Sequence, residues 1–114
     1  MRVLLWPTNY FRYIGGLERL THNLALSLVS KGHSVLVVTD NPLDSQFLED
    51  SIEGINVIRL PCSHALLQKD LSLIKATTQA LLKIIEQFDP DILNSHGLHE
   101  TMCFYQARAI NKTN

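Results

Sequence analysis

Short apolar runs alternate along the chain with longer stretches in which apolar residues return every three or four positions. Arg2 to Trp6, RVLLW, is cut off by Pro7 and reads as a buried strand. Thr8 to Gly16 reads as a loop carrying Tyr10, Phe11 and Tyr13. Leu17, Leu20, Leu24 and Leu28 then recur at helical spacing, with Ala25 and Val29 widening the stripe. Glu18, Arg19, His22, Asn23, Ser27 and Lys31 fill the other face. Glu18 in the first turn and Lys31 in the last suit the helix dipole, and Gly32 is a natural stop.

Ser34 to Thr39, SVLVVT, is almost wholly apolar and β-branched, as expected of a strand covered on both faces. Asp40-Asn41-Pro42 closes it, and a short helix is expected within residues 43–51. Glu53-Gly54 turns the chain into a third strand, Ile55 to Leu60, stopped by Pro61. Residues 62–70 fit either a loop or a first piece of helix. From Leu71 the helical period returns through Ile74, Thr78, Leu81, Leu82, Ile85 and Phe88. Asp89-Pro90-Asp91 breaks it, and Ile92-Leu93-Asn94 begins a fourth strand. His96-Gly97 follows as a strand-end turn, and Glu100 to Ile110 can form another helix.

Strands alternating with helices imply right-handed crossovers and a mostly parallel sheet between two helical layers. The expected order of the four strands is 3-2-1-4. Ligands of such sheets bind beyond the carboxyl ends of the strands. The Gly15-Gly16 loop and the His96-Gly97 loop should therefore meet there. The fourth strand is left with an open outer edge, which a further strand or a partner would cover.

Composition narrows the function. A length of 114 residues suits one domain. Ten Lys and Arg against eleven Asp and Glu, without blocks, offer a polyanion no broad basic surface, so nucleic acid is disfavoured. No apolar run approaches the roughly 20 residues of a membrane span, and no signal-peptide pattern opens the chain. Cys62 and Cys103 form no CxxC and fit unpaired thiols in a reducing cytoplasm.

The candidate chemistry is sparse. Gly16 before a helix either permits close approach of an anion or sugar to free N–H groups, or simply serves a turn. Neither G-x-G-x-x-G nor the P-loop pattern occurs, which disfavours classical dinucleotide binding and Walker-type hydrolysis. His96 at a strand end can donate to a sugar hydroxyl or phosphate, or carry a proton near neutral pH. Tyr10, Phe11 and Tyr13 either stack on a sugar or acceptor or cover the core. His99 and Glu100 fit a helix start. His64, His96 and His99 match no zinc pattern, and no G-x-S-x-G elbow occurs. Asp89 and Asp91, at the opposite end of the sheet, fit turn formers, and Lys31 and His33 need only a structural account.

Three stretches taken together, YIGGLERLTHNLALSLVSKGHSVLVVTD, EGINVIRLP and FDPDILNSHG, resemble the N-terminal domain of GT-B retaining glycosyltransferases of family 4. The shared features are Gly15-Gly16-x-Glu18, Gly32-His33-x-Val35, and Pro90-Asp91-Ile92-Leu93 leading to His96. The resemblance runs from Arg2 to about His99. Where the family often has a further histidine two residues before His96, this chain has Asn94.

The resemblance implies a Rossmann-like three-layer sandwich forming part of the acceptor-side domain across residues 1–114, incomplete relative to the full family domain. It implies transfer of a sugar from a nucleotide-sugar donor to a hydroxyl acceptor with retention. His96 looks like the catalytic histidine that contacts the transferred sugar. Gly15 and Gly16 line the cleft for phosphate or substrate, Tyr10, Phe11 and Tyr13 contact the acceptor, and Glu18 braces the loop. No metal or cofactor is implied beyond the nucleotide sugar as substrate. A missing C-terminal domain would hold most donor contacts, leaving these residues inactive alone. A cytoplasmic setting follows, peripheral to a membrane in a full-length protein. Alternatives are a non-catalytic binding or assembly module, including a homodimer through the exposed sheet edge, and a nucleotide-sugar epimerase fragment.

Overall fold

A computed structural model describes residues 1–7, 16–41, 43–96, 104, 105 and 107, with residues 16, 17 and 96 described by backbone alone. The apolar runs form strands and the periodic stretches form helices. The elements are β1 (Arg2–Pro7), α1 (Gly16–Ser30), β2 (Ser34–Asp40), β3 (Leu48–Ile52) and β4 (Ile55–Leu60), then α2 (Cys62–Leu67), α3 (Leu71–Phe88) and β5 (Ile92–His96). Residues 104, 105 and 107 are also helical. The sheet order is β3-β4-β2-β1-β5, with every pairing parallel except β3 to β4.

This order corrects the expected 3-2-1-4. The four expected strands keep their mutual positions, but a fifth strand, β3, takes the place of the short helix expected in residues 43–51. The cause lies in the turn that follows. Glu53 and Gly54 have φ of 51° and 83°, and Ile52 pairs with Ile55 across them. A two-residue turn with both φ positive matches the strand twist and folds the preceding residues back as a hairpin. Pairing across that turn overrides the local pattern of LEDSI.

Alternation along the strands splits the core into two layers. Val3, Leu5, Val37, Ile55 and Val57 face α1, whose Ala25 is buried among them with Leu26 and Leu28 alongside. Leu4, Trp6, Leu36, Val38 and Leu60 face the other way, against Cys62 of α2, Leu81 and Ile85 of α3, and Tyr105. Each fully buried large aliphatic side chain contributes roughly 1.5–3 kcal/mol. The result is the expected three-layer α/β/α arrangement.

Helix α1 buries a stripe turned away from the expected one, whereas α3 keeps the expected stripe, with Leu81 and Ile85 buried and Ile74, Thr78, Leu82 and Phe88 half-buried. In α1 the buried residues are Thr21, His22 and Ala25, whereas Leu20 is 67% exposed, Leu24 36% and Val29 44%. The strands beneath present β-branched side chains, so small or flat residues on the helix give the closest seat. In α3 the buried line is Thr77, Leu81 and Ile85, while Leu71 is 79% exposed and Thr78 donates to the Ile74 carbonyl. Asp70 caps the start of α3 by accepting from Leu73 N, and Asp89 ends it in the left-handed region. Lys31 falls just beyond α1, its N–H bonded to the Ser27 and Leu28 carbonyls. Residues 62–67 form their own short helix and not a plain loop. No helix among the described residues is long and apolar enough to cross a membrane.

Candidate functional site

The site-forming end of such a sheet lies beyond the carboxyl ends of its strands, where successive connections leave in opposite directions. Here that point falls between β1 and β5. The connection after β1 runs through α1 on one face, whereas α3 reaches β5 over the other. Pro7, the last residue of β1, is in register with His96, the last residue of β5.

Gly16 is brought to the same level by the course of α1. The helix ends at Ser30, and Ser34 N donates to the Met1 carbonyl (2.9 Å) at the amino end of β1. Fifteen helical residues rising about 1.5 Å each carry the helix start back by about 22 Å, the length of the neighbouring strands. The backbones of Gly16 and His96 therefore lie at one end of the sheet. Gly15, Tyr10, Phe11 and Tyr13 lie outside the described residues, as does the His96 side chain. His99 and Glu100 also lie outside them. Asp89 and Asp91 sit at the amino end, where Asp91 accepts from Arg2 N (2.8 Å), consistent with turn formers.

The carboxyl rim holds a polar framework that the sequence reading missed. Thr39 donates through Oγ1 to the Pro7 carbonyl (3.1 Å), tying β2 to β1 at their last residues. Beside it, Asp40 is almost fully buried. Its carboxylate accepts from Ser63 N (3.1 Å) and from Ser63 Oγ in a short bond. The N-cap position of α2 is Pro61, which makes no side-chain cap. Asp40 thus supplies from the neighbouring strand the acceptor that the helix start lacks locally. In dinucleotide-binding sheets an acidic residue in this region takes ribose hydroxyls; here the carboxylate holds α2 instead. The signal was present only as an Asp closing a β-branched run and a Ser two residues after a strand-stopping proline.

Next to this clamp the Cys62 thiol is driven far above its ordinary range, first by burial and then by the Asp40 charge. A neutral, buried thiol is a packing group and not a nucleophile. Tyr105 closes the same region by donating to the Cys62 carbonyl (3.1 Å). Two further buried donors, Trp6 Nε1 and Thr77 Oγ1, have no hydrogen-bond partner among the described residues. Trp6 is in register with Ser95, one step below the Pro7–His96 pair. Among the described residues no three His, Cys, Asp or Glu side chains converge as a metal-holding group.

The described residues thus form a doubly wound α/β sheet whose carboxyl rim is held by side-chain hydrogen bonds. Residues 14–113 match the model of Glycosyltransferase Family 4. The chain belongs to that family, as a domain of its N-terminal type. No curated protein and no solved structure matches it.

Proposed function

We propose that this chain forms the acceptor-side wall of a transferase that moves a sugar from a nucleotide-sugar donor to a hydroxyl acceptor with retention. Family membership carries the reading. It is supported by the register that ends β1 and β5 together at Pro7 and His96, on the end of the sheet where α1 begins.

In this reading His96 touches the transferred sugar. Gly15 and Gly16 keep side chains out of the cleft, so that free N–H groups at the start of α1 meet a phosphate or hydroxyl oxygen. Tyr10, Phe11 and Tyr13 bear on the acceptor. Transfer requires stabilisation of the departing diphosphate and exclusion of water. One wall supplies little of either, so a second domain provides the rest and the 114-residue chain alone does not turn over. Strand β5 favours such a continuation: its residues Ile92 to Ser95 carry no charge, and Ile92 is 42% exposed. Among the described residues β5 pairs on one side only, and an uncharged edge is suited to receive another strand.

Amide chemical shifts followed by NMR during titration with UDP-, GDP- and ADP-sugars, and with simple glycosides, test the reading. The expected perturbations gather at Gly15, Gly16 and His96. Shifts confined to the amino ends of the strands, or none with any probe, would overturn it. Release of nucleoside diphosphate by the chain alone would overturn the inactivity.

A further inference from the structure

The two flanks of β1 stop pairing at different heights. Its ladder with β2 runs from Arg2 opposite Ser34 to Leu5 opposite Val37. Its ladder with β5 goes on to Pro7 opposite His96. The tip of β1 therefore reaches the carboxyl rim joined to β5 but beyond its backbone pairing with β2. Pro7 has no N–H and brings only a carbonyl to this junction. The ends of a ladder are also where local opening costs least.

Thr39 bridges the gap. It lies two residues past the last β1–β2 pair, and its Oγ1 donates to the Pro7 carbonyl at 3.1 Å. The side chain is buried, so water is kept from competing for that carbonyl. Strand β2 is itself secured at this height, because its pairing with β4 continues through Thr39 opposite Arg59 to Asp40 opposite Leu60. The next residue works on the other side of the sheet. Val37 belongs to the α1 layer and Val38 to the α3 layer, so alternation turns Thr39 toward α1 and Asp40 toward α3. Asp40 holds the start of α2 through Ser63 while Thr39 holds the end of β1.

We propose that Thr39 is a positioning residue for the sugar-transfer site, a role that rests on the function proposed above. It fixes the height and direction at which the chain leaves Pro7, and through the Pro7–His96 pair it fixes the end of β5. Both segments assigned to the site start from these points. Residues 8–15, with Tyr10, Phe11, Tyr13 and Gly15, follow Pro7, and His96 closes β5. Thr39 acts through this backbone and not by touching substrate. A binding constellation loses much of its strength when its supports let it shift by about 1 Å.

Nuclear magnetic resonance on the full chain tests the proposal with two variants. Thr39→Val keeps the shape and loses the donor, whereas Thr39→Ser keeps the donor. Without ligand, the Ser95 and His96 amides should exchange about fivefold faster in Thr39→Val and at the wild-type rate in Thr39→Ser. The amides of Val3 and Leu4 should stay unchanged in both. Titrated with UDP-, GDP- and ADP-sugars, Thr39→Val should bind about fivefold more weakly than wild type, and Thr39→Ser equally well. Unchanged exchange at His96 in a folded Thr39→Val protein would overturn the proposal. So would exchange that rises evenly through the sheet, or a sugar nucleotide bound alike by Thr39→Val and wild type. If none of these probes binds wild type, the transferase reading fails by itself, and the exchange comparison still decides whether Thr39 sets the rim.

Discussion

The two ends of the strands are built on different principles. At the amino end, turns are made by residues close in sequence: Gly32 with φ 89°, the Glu53-Gly54 pair, and Asp89 with φ 50°. At the carboxyl end, groups far apart in sequence meet in buried or half-buried hydrogen bonds, Thr39 with Pro7, Asp40 with Ser63, and Tyr105 with Cys62. Distant segments also meet at the amino end, Asp91 with Arg2 and Ser34 with Met1, but through exposed residues that leave little to hold a ligand against. The carboxyl end holds separate elements in fixed relation, which is what a binding rim requires.

The largest test of this contrast sets Asp40→Ala against Asp91→Ala. Removing the buried Asp40 carboxylate leaves Ser63 N–H and hydroxyl without their acceptor and should cost about 3 kcal/mol in urea unfolding. Asp91 makes an exposed bond to Arg2 N, and its loss should cost about 1 kcal/mol or less. Equal losses would erase the distinction.

Alkaline pH sharpens it next. The folded Cys62 thiol is raised above its ordinary value of about 9 by burial and by Asp40. A thiol held neutral in the fold ionises first in the unfolded chain. Its contribution is complete below the ordinary thiol range and declines as pH rises above it. The expected loss approaches about 1.4 kcal/mol per pH unit above pH 9. Denaturation midpoints across that range should fall less steeply in Cys62→Ala, and identical slopes would show that the thiol is not held neutral.

Smaller effects are expected from the local turns. Gly54→Val forces a β-branched side chain into φ of 83° and should destabilise by about 1–2 kcal/mol, visible as a lowered melting temperature. Space is not the obstacle, because an added Cβ there meets nothing within 4 Å. Unchanged melting would show that the hairpin adopts another turn. Thr39→Val, nearly the same shape, removes the donor to Pro7 and should cost about 1 kcal/mol. Faster amide exchange near Pro7 and His96, with the amino end unaffected, would place the effect at the rim.

The amino end was legible in the sequence because glycine, proline and aspartate declare their turns within a few residues. So were four of the five strands, whose β-branched runs announce burial on both faces. Strand β3 was missed because LEDSI has no strong period of its own and takes its state from pairing with β4. The buried face of α1 was misjudged for a related reason. Leu20 and Leu24 are more apolar than Thr21 and His22, yet the packed line runs through the latter. Hydrophobicity says which side chains can be buried, and the shape of the opposing sheet decides which are.

The chain by itself determined the alternating α/β plan, the relative order of four strands, the turns, and the glycosyltransferase family to which it belongs. Those features rest on periodicity and short-range backbone preference, which act between near neighbours. Tertiary structure alone decided the Asp40–Ser63 clamp, the inert setting of Cys62, the antiparallel edge and the seating of the helices. Each depends on groups that meet only when distant segments pack together, and no local pattern encodes which partner will arrive.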